Sequence, residues 1–137
     1  MNSIKKVKSQ QNLKLLKVKS ISPIEGHSKK RVDWLLKKIC DEGVWKVPVK
    51  VEKTKFLLMD GHHRFEVAKL LNLTFIPVEL FDYSEVEVFS LRKNRKVNVD
   101  IIFRNHEEGI IYPYKTAKHN FKSSNKSFEG ISLNELK

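Results

Sequence analysis

The run FLLMDGHHRFEVAKLLNLTFIP, residues 56–77, limits the folds open to this chain more than any other segment. A short apolar run ends at Asp60-Gly61, and apolar residues then recur at helical spacing as far as Leu71. Asn72 interrupts that pattern before another β-rich run begins. The segment therefore predicts a strand, a sharp turn, an amphipathic helix and a second strand in immediate succession.

Helical spacing recurs in two other segments. Apolar residues three and four positions apart predict a helix between Ser28, as its N-cap, and Gly43, as its stop. Residues 99–108 predict another helix, with Asn98 as the cap and Gly109 as the stop.

The remaining β-rich runs predict the other strands. A first strand is expected in residues 13–21, and residues 47–51 and 56–59 are expected to form a hairpin around a polar connection. A further strand is expected in residues 74–81, and the alternating residues 86–91 predict either an added strand or a short helix. Residues 110–121 are interpreted as a loop.

The chain of 137 residues is long enough for one domain with one apolar core. We expect a flexible basic arm at residues 1–12, the domain at residues 13–121 and a polar C-terminal tail at residues 122–137. No apolar run approaches the roughly 20 residues of a membrane span, and no signal peptide is evident. Cys40 is the only cysteine, so we expect no internal disulfide and a cytoplasmic protein.

The formal net charge is +11. That excess favours polyanionic ligands such as nucleotides, nucleic acid or an acidic membrane surface, but it does not choose among them. The positions of particular basic residues have to decide among these ligands.

The turn at residues 60–64 carries the chemistry that favours a phosphate ligand. A helix N-terminus presents unpaired amides and the positive end of the helix dipole, and phosphate oxygens suit both. Gly61 would let the backbone approach a ligand closely, and Arg64 could fork onto phosphate oxygens. Asp60 could orient a histidine, hold a magnesium ion or face the substrate.

This turn resembles the glycine-x-x-arginine turn of the ParB/sulfiredoxin superfamily, in which the turn binds nucleotide phosphates. The form Asp-Gly-His-His-Arg looks most like the free L-serine kinases of that superfamily, which make O-phosphoserine from serine and a nucleotide. The resemblance extends over residues 13–121 and implies an α+β fold, a small mixed sheet flanked by helices.

Two further motifs support this narrower resemblance. Pro23-Ile24-Glu25 stands where those kinases have a glutamate regarded as catalytic. Residues 113–119, PYKTAKH, resemble a late segment that helps form the substrate and phosphate pocket. Ala117 replaces a threonine of that segment and Lys118 an arginine, so a hydroxyl and a bidentate fork are lost, which puts substrate choice and activity in question.

The resemblance implies transfer of a phosphoryl group from ATP or ADP, with Mg²⁺, to the hydroxyl of free L-serine or a similar hydroxy amino acid. It also assigns roles to ten residues: Glu25 and Asp60 as catalytic; Gly61, His62, His63 and Arg64 as nucleotide-binding; Lys115, Thr116, Lys118 and His119 as substrate-binding. We expect no dedicated metal ligands, because Mg²⁺ bound to phosphates keeps several waters.

Other readings of the same residues stay open. A stand-alone ParB-like module that binds a nucleotide or DNA would suit the basic charge. Sulfiredoxin chemistry needs a cysteine in the turn, where this chain has His62, and a ParB-like nuclease would need a metal cluster. Trp34 and Trp45 are interpreted as core or rim packing rather than ligand stacking, and His27 and His106 as surface residues.

Overall fold

Strand β5 (Phe75–Phe81) lies inside a four-stranded sheet in the computed structural model, which describes residues 12–122 and 128–137. β5 pairs antiparallel with β1 (Leu13–Lys17) and parallel with β3 (Val49–Glu52). β3 pairs antiparallel with β4 (Leu58–Asp60), which gives the order β1-β5-β3-β4. The mixed sheet and the predicted hairpin are confirmed. The predicted arm, apart from Asn12, lies outside the described residues.

Two small sheets accompany the main one. β2 (Val44–Trp45) pairs with β8 (Ile131–Ser132), and β6 (Val86–Ser90) pairs antiparallel with β7 (Ala117–Phe121). Residues 86–90 are therefore a strand, but they do not extend the main sheet. The predicted loop is wrong for β7, whose alternating buried and exposed positions are mostly polar and so lack the β-rich signature of a strand.

The two capped helices follow their sequence signals. The Ser28 side chain accepts a hydrogen bond from the Arg31 amide at the start of α1 (Lys29–Glu42), and Gly43 ends α1 in the left-handed region at φ 69°. The predictions for this helix are confirmed. The site-bearing helix is α2 (His62–Leu70).

The later helices complete the domain. In α3 (Val99–Glu108), the Asn98 side chain accepts a bond from the Ile101 amide, and Gly109 ends the helix as predicted. The chain closes on α4 (Leu133–Leu136), and 3₁₀ turns occur at Val18–Ser20 and Tyr83–Glu85. The first of these turns ends β1 at Lys17, four residues before the predicted end at Ile21.

Buried side chains form two clusters. The larger cluster joins the main sheet to α1 and α2, and it includes Ile131 and Leu136, so the end of the predicted tail packs in the core. The smaller cluster includes Ile24, Met59 and Tyr112. No helix in the described part of the chain is both long and apolar enough to cross a membrane.

Candidate functional site

A pocket of about 320 Å³ opens at the N-terminal end of α2. Its volume falls in the range of small-molecule sites. Four parts of the chain meet there: the loop before α1, one face of α1, the turn between β4 and α2, and the start of β7. The lining residues are Glu25, Arg31, Trp34, Leu35, Lys38, Met59, Asp60, Gly61, His62, His63, Arg64 and Ala117.

Gly61 shapes the turn in a way that a residue with a side chain could adopt only with strain. Its φ is 99°, and a Cβ built on it would lie 2.7 Å from Cγ1 of Val49 on the neighbouring strand. The first bond of α2 runs from the Phe65 amide to the Gly61 carbonyl at 2.9 Å. The amides before Phe65 therefore have no partner within the helix, and together with the helix dipole they make the pocket floor attractive to an anion.

The two histidines of the turn hold the loop that carries Glu25. Nε2 of His62 accepts a hydrogen bond from the Ile24 amide at 3.2 Å, and Nε2 of His63 accepts one from the Ser28 amide at 3.1 Å. Both rings must therefore be unprotonated at Nε2, which leaves the proton of each neutral ring on Nδ1. The sequence did not predict this role.

The electrostatics of the turn agree with neutral histidines. Burial lowers the pKa of His62 to about 3. The pKa of His63 is also lowered, first by burial and then by the positive charge of Arg31 and by His27. The positive charge that the turn offers a ligand therefore comes from the amides and from arginine rather than from imidazolium groups.

Arg64 is half-buried at the pocket wall, one residue beyond the two histidines. Burial lowers its pKa, while Asp60 and Glu42 act in the opposite direction. Asp60 is exposed and lines the same pocket. The turn thus brings one carboxylate and one guanidinium to the anion-attracting end of α2.

Glu25 faces the pocket from the loop before α1. Its carboxylate accepts hydrogen bonds from the Lys115 amide at 3.1 Å and from the Ala117 amide at 2.9 Å. Burial raises its pKa, and the surrounding backbone amides only partly offset that effect. A fixed carboxylate with a raised pKa is a stronger base than a carboxylate in water.

The late segment, residues 113–119, forms the support for Glu25. Thr116 is fully buried, and its hydroxyl donates to the Pro113 carbonyl at 2.6 Å. Lys115 adopts a positive φ of 57°, which turns the backbone so that the amides on both sides of Thr116 reach one carboxylate. This segment therefore contributes to the site through its main-chain amides, which hold the Glu25 carboxylate.

The side chains of residues 113–119 lie in different environments. Lys115 and Lys118 are exposed, and Ala117 is the member whose side chain lines the pocket. His119 is buried in contact with Tyr83, whose hydroxyl lies 2.8 Å from Nε2. Burial lowers the pKa of His119 to about 4. Nδ1 of His119 has no hydrogen-bond partner among the described residues.

Helix α1 contributes residues that the sequence analysis did not assign to the site. Arg31, Trp34 and Lys38 line the pocket, and Trp34 is 67% exposed. The prediction that Trp34 packs in the core or its rim is therefore wrong, whereas Trp45 is fully buried as expected. The sequence feature that could have identified these pocket residues is the spacing of residues 31, 34, 35 and 38, which places them on one face of a helix.

Sulfiredoxin chemistry would need a cysteine at the pocket, and a nuclease would need a cluster of metal-binding side chains. Cys40 is exposed on α1 and does not line the pocket. Within residues 12–122 and 128–137, no group of three or more histidine, cysteine, aspartate or glutamate side chains is arranged to hold a metal ion.

Comparisons with known proteins establish the fold. No protein-family model matches the chain, and no curated protein matches it by sequence. Among solved structures, SbnI with a C-terminal truncation from Staphylococcus aureus has a TM-score of 0.82 at 13% identity, covering 100% of this chain and 92% of its own. A conserved hypothetical protein from Pyrococcus furiosus has a TM-score of 0.80 at 12% identity, with coverages of 93% and 98%.

A free serine kinase in complex with AMP is also similar, with a TM-score of 0.79 at 13% identity and coverages of 91% and 93%. At these identities the likeness concerns the fold. The expected α+β fold, and its likeness to the free serine kinases, are confirmed.

Proposed function

We propose that this chain is a cytoplasmic, nucleotide-dependent kinase that phosphorylates the hydroxyl of free L-serine, or of a similar hydroxy amino acid, to give O-phosphoserine. One observation carries the proposal: the Glu25 carboxylate, held by two backbone amides, lines the same pocket as the N-terminal end of α2. A fixed carboxylate and a helix N-terminus thus face a common space large enough for a small molecule.

The nucleotide phosphates would lie against the start of α2. The unpaired amides of the turn and the Arg64 guanidinium would neutralise their charge, and Gly61 would let them approach the backbone. The side chains of His62 and His63 already use Nε2 to hold the Glu25 loop, so only their Nδ1–H groups would remain as donors. The free serine kinase with the same fold binds AMP, which supports an adenine nucleotide as the ligand.

Glu25 would act as the general base. The serine hydroxyl oxygen attacks the terminal phosphorus of ATP or ADP, and its proton passes to the Glu25 carboxylate. A new O–P bond forms while the bond from that phosphorus to the bridging oxygen breaks, and ADP or AMP leaves. The raised pKa of Glu25 suits this step, because a carboxylate in water is a poor acceptor for a hydroxyl proton.

The acceptor amino acid would lie in the pocket beside Glu25 and the late segment that holds it. Lys115 is exposed beside Glu25 and would attract the substrate carboxylate, and Lys118 would add positive charge nearby. Thr116 and His119 are buried and already have polar contacts, so they would support the segment rather than touch the substrate. Of the four residues expected to bind the substrate, the two lysines would therefore be the ones that contact it.

Magnesium fits this site as a companion of the nucleotide. The described residues offer no three-ligand cluster, but Mg²⁺ needs only one or two carboxylates when phosphates and water complete its shell. Asp60, which is exposed at the turn, is the carboxylate placed to hold it or to position the hydroxyl. When bound, the ion would neutralise phosphate charge.

A second candidate is a nucleotide- or DNA-binding regulatory module without kinase activity, favoured by the net charge of +11. Such a module would bind DNA with a steep dependence on salt and would leave serine unchanged.

The deciding experiment is a panel assay. The purified protein is incubated with Mg²⁺, either ATP or ADP, and serine, threonine, homoserine or glycerate in turn, and products are identified by mass spectrometry. We expect a phosphorylated product with serine or a close analogue. If no acceptor is phosphorylated and the protein binds DNA in a salt-dependent way, the second candidate function would replace the proposed kinase function.

A further inference from the structure

One face of α1 forms a side wall of the pocket that the proposed chemistry leaves unused. Arg31, Trp34, Leu35 and Lys38 follow one another at helical spacing, and all four line the pocket. Leu35 is buried and fixes this face against the core. The other three side chains present two cations and a large aromatic ring to the pocket.

Trp34 is placed unlike the other tryptophan. Trp45 is fully buried, whereas Trp34 leaves 67% of its surface in contact with solvent. Leaving so large an apolar surface in water forgoes the stability that its burial would give. The Lys38 ammonium lies 5.6 Å from the centre of the indole ring. A ring that is mostly exposed and lies beside a flexible cation is accessible to a flat aromatic ligand, because the lysine can move aside.

Arg31 connects the indole ring with the anion-attracting turn. It precedes Trp34 by nearly one helical turn, and its charge is close enough to His63 to lower the pKa of that side chain. A ligand with phosphates at the start of α2 would therefore meet Arg31 first and Trp34 next along the wall. A nucleotide has this order of groups, with anionic phosphates at one end and an aromatic base at the other.

We infer that Trp34 is the stacking platform for the nucleobase, with Arg31 placed to contact the ribose-phosphate part of the ligand. The inference rests on the proposed nucleotide binding and adds a subsite to it. Stacking on an aromatic side chain tolerates different bases, so Trp34 would contribute affinity for a purine nucleotide without excluding pyrimidines.

The test compares a ligand that has a base with one that lacks it, in the absence of serine. Dissociation constants are measured by calorimetry for ADP and for inorganic pyrophosphate, using wild-type protein, Trp34→Ala, Trp34→Phe and Lys37→Ala. Lys37 is an exposed α1 residue that does not line the pocket, so its replacement controls for a change in helix surface.

We expect Trp34→Ala to weaken ADP binding about tenfold or more and to leave pyrophosphate binding within twofold. Trp34→Phe should keep ADP within about threefold, and Lys37→Ala should bind both ligands like wild type. Equal ADP binding by wild type and Trp34→Ala would overturn the inference, as would an equal loss of both ligands. If wild type bound neither ligand, the proposed function itself would fail, and that outcome is distinct from failure of the platform alone.

Discussion

The Glu25 carboxylate accepts a hydrogen bond from the Ala117 amide at 2.9 Å, although 92 positions separate the two residues in the chain. A second bond, from the Lys115 amide, binds the other carboxylate oxygen. The loop before α1 and the segment that leads into β7 thus form one unit around a single carboxylate. This pairing fixes the direction in which Glu25 faces the pocket, and the proposed chemistry depends on it.

Replacing Glu25 with Gln should abolish turnover while preserving nucleotide binding. Glutamine keeps the size of the side chain but cannot take a proton, so we expect kcat to fall by about 10²–10⁴-fold, with the dissociation constant for ADP changed by less than threefold. Steady-state kinetics and calorimetry check this. Glu87→Gln, an exposed change on β6, is the matched control. A Glu25→Gln enzyme with wild-type kcat would remove Glu25 from the mechanism.

The acid limb of the pH profile should report Glu25. Burial raises its pKa above 4.5, and the base must be unprotonated to act. Because the unprotonated fraction falls as pH falls through that pKa, we expect kcat to decline towards acid with a midpoint above 4.5. The profile is measured at saturating nucleotide and serine. A midpoint at or below 4.5 contradicts the assignment.

Gly61→Ala should damage both stability and phosphate binding. The new methyl group would lie 2.7 Å from Cγ1 of Val49 in a backbone with φ 99°. Gly109 also has a left-handed backbone, but a Cβ built on it meets no neighbouring heavy atom within 4 Å. Gly109→Ala therefore measures the conformational cost alone. We expect a loss of about 1–2 kcal/mol for Gly109→Ala and about 2–5 kcal/mol for Gly61→Ala in urea unfolding. Equal losses would show that the close approach to Val49 is unimportant.

His63 should act by positioning the Glu25 loop. His63→Leu removes the acceptor for the Ser28 amide, whose loss costs about 1 kcal/mol of stability or more, and the loosened loop should lower kcat about tenfold. His63→Gln offers a carbonyl acceptor and should recover part of kcat. Binding of pyrophosphate should change little in either variant. If His63→Gln and His63→Leu lose kcat equally, the hydrogen bond to Ser28 does not carry the effect.

Much of the fold could be predicted from the sequence because its signals are local. The caps Ser28 and Asn98 and the glycines 43 and 109 mark the ends of α1 and α3, and each works through atoms a few positions away. The hairpin and the turn at Gly61 are equally local. The ends of α1 and α3 therefore match the structure residue for residue, and the hairpin strands lie within two residues of their predicted bounds.

The missed features depend on contacts between distant segments. β7 is a strand because β6 pairs with it, and its own polar residues do not indicate a strand. The roles of the turn histidines arise only when the loop at residues 24–28 folds over α2. Trp34 has the spacing of a pocket-facing residue, but the sequence alone could not show that a pocket, rather than the core, lies beside it.

The central claim is that a serine hydroxyl, freed of its proton by Glu25, attacks the terminal phosphorus of a bound nucleotide. Serine labelled with ¹⁸O in its hydroxyl tests this most directly, with mass spectrometry of the product after incubation with Mg²⁺ and ATP or ADP. We predict O-phosphoserine that retains the label, because the hydroxyl oxygen becomes the bridging oxygen, and almost no product from Glu25→Gln. Phosphoserine that has lost the label, or no phosphoserine with either nucleotide, would contradict the account.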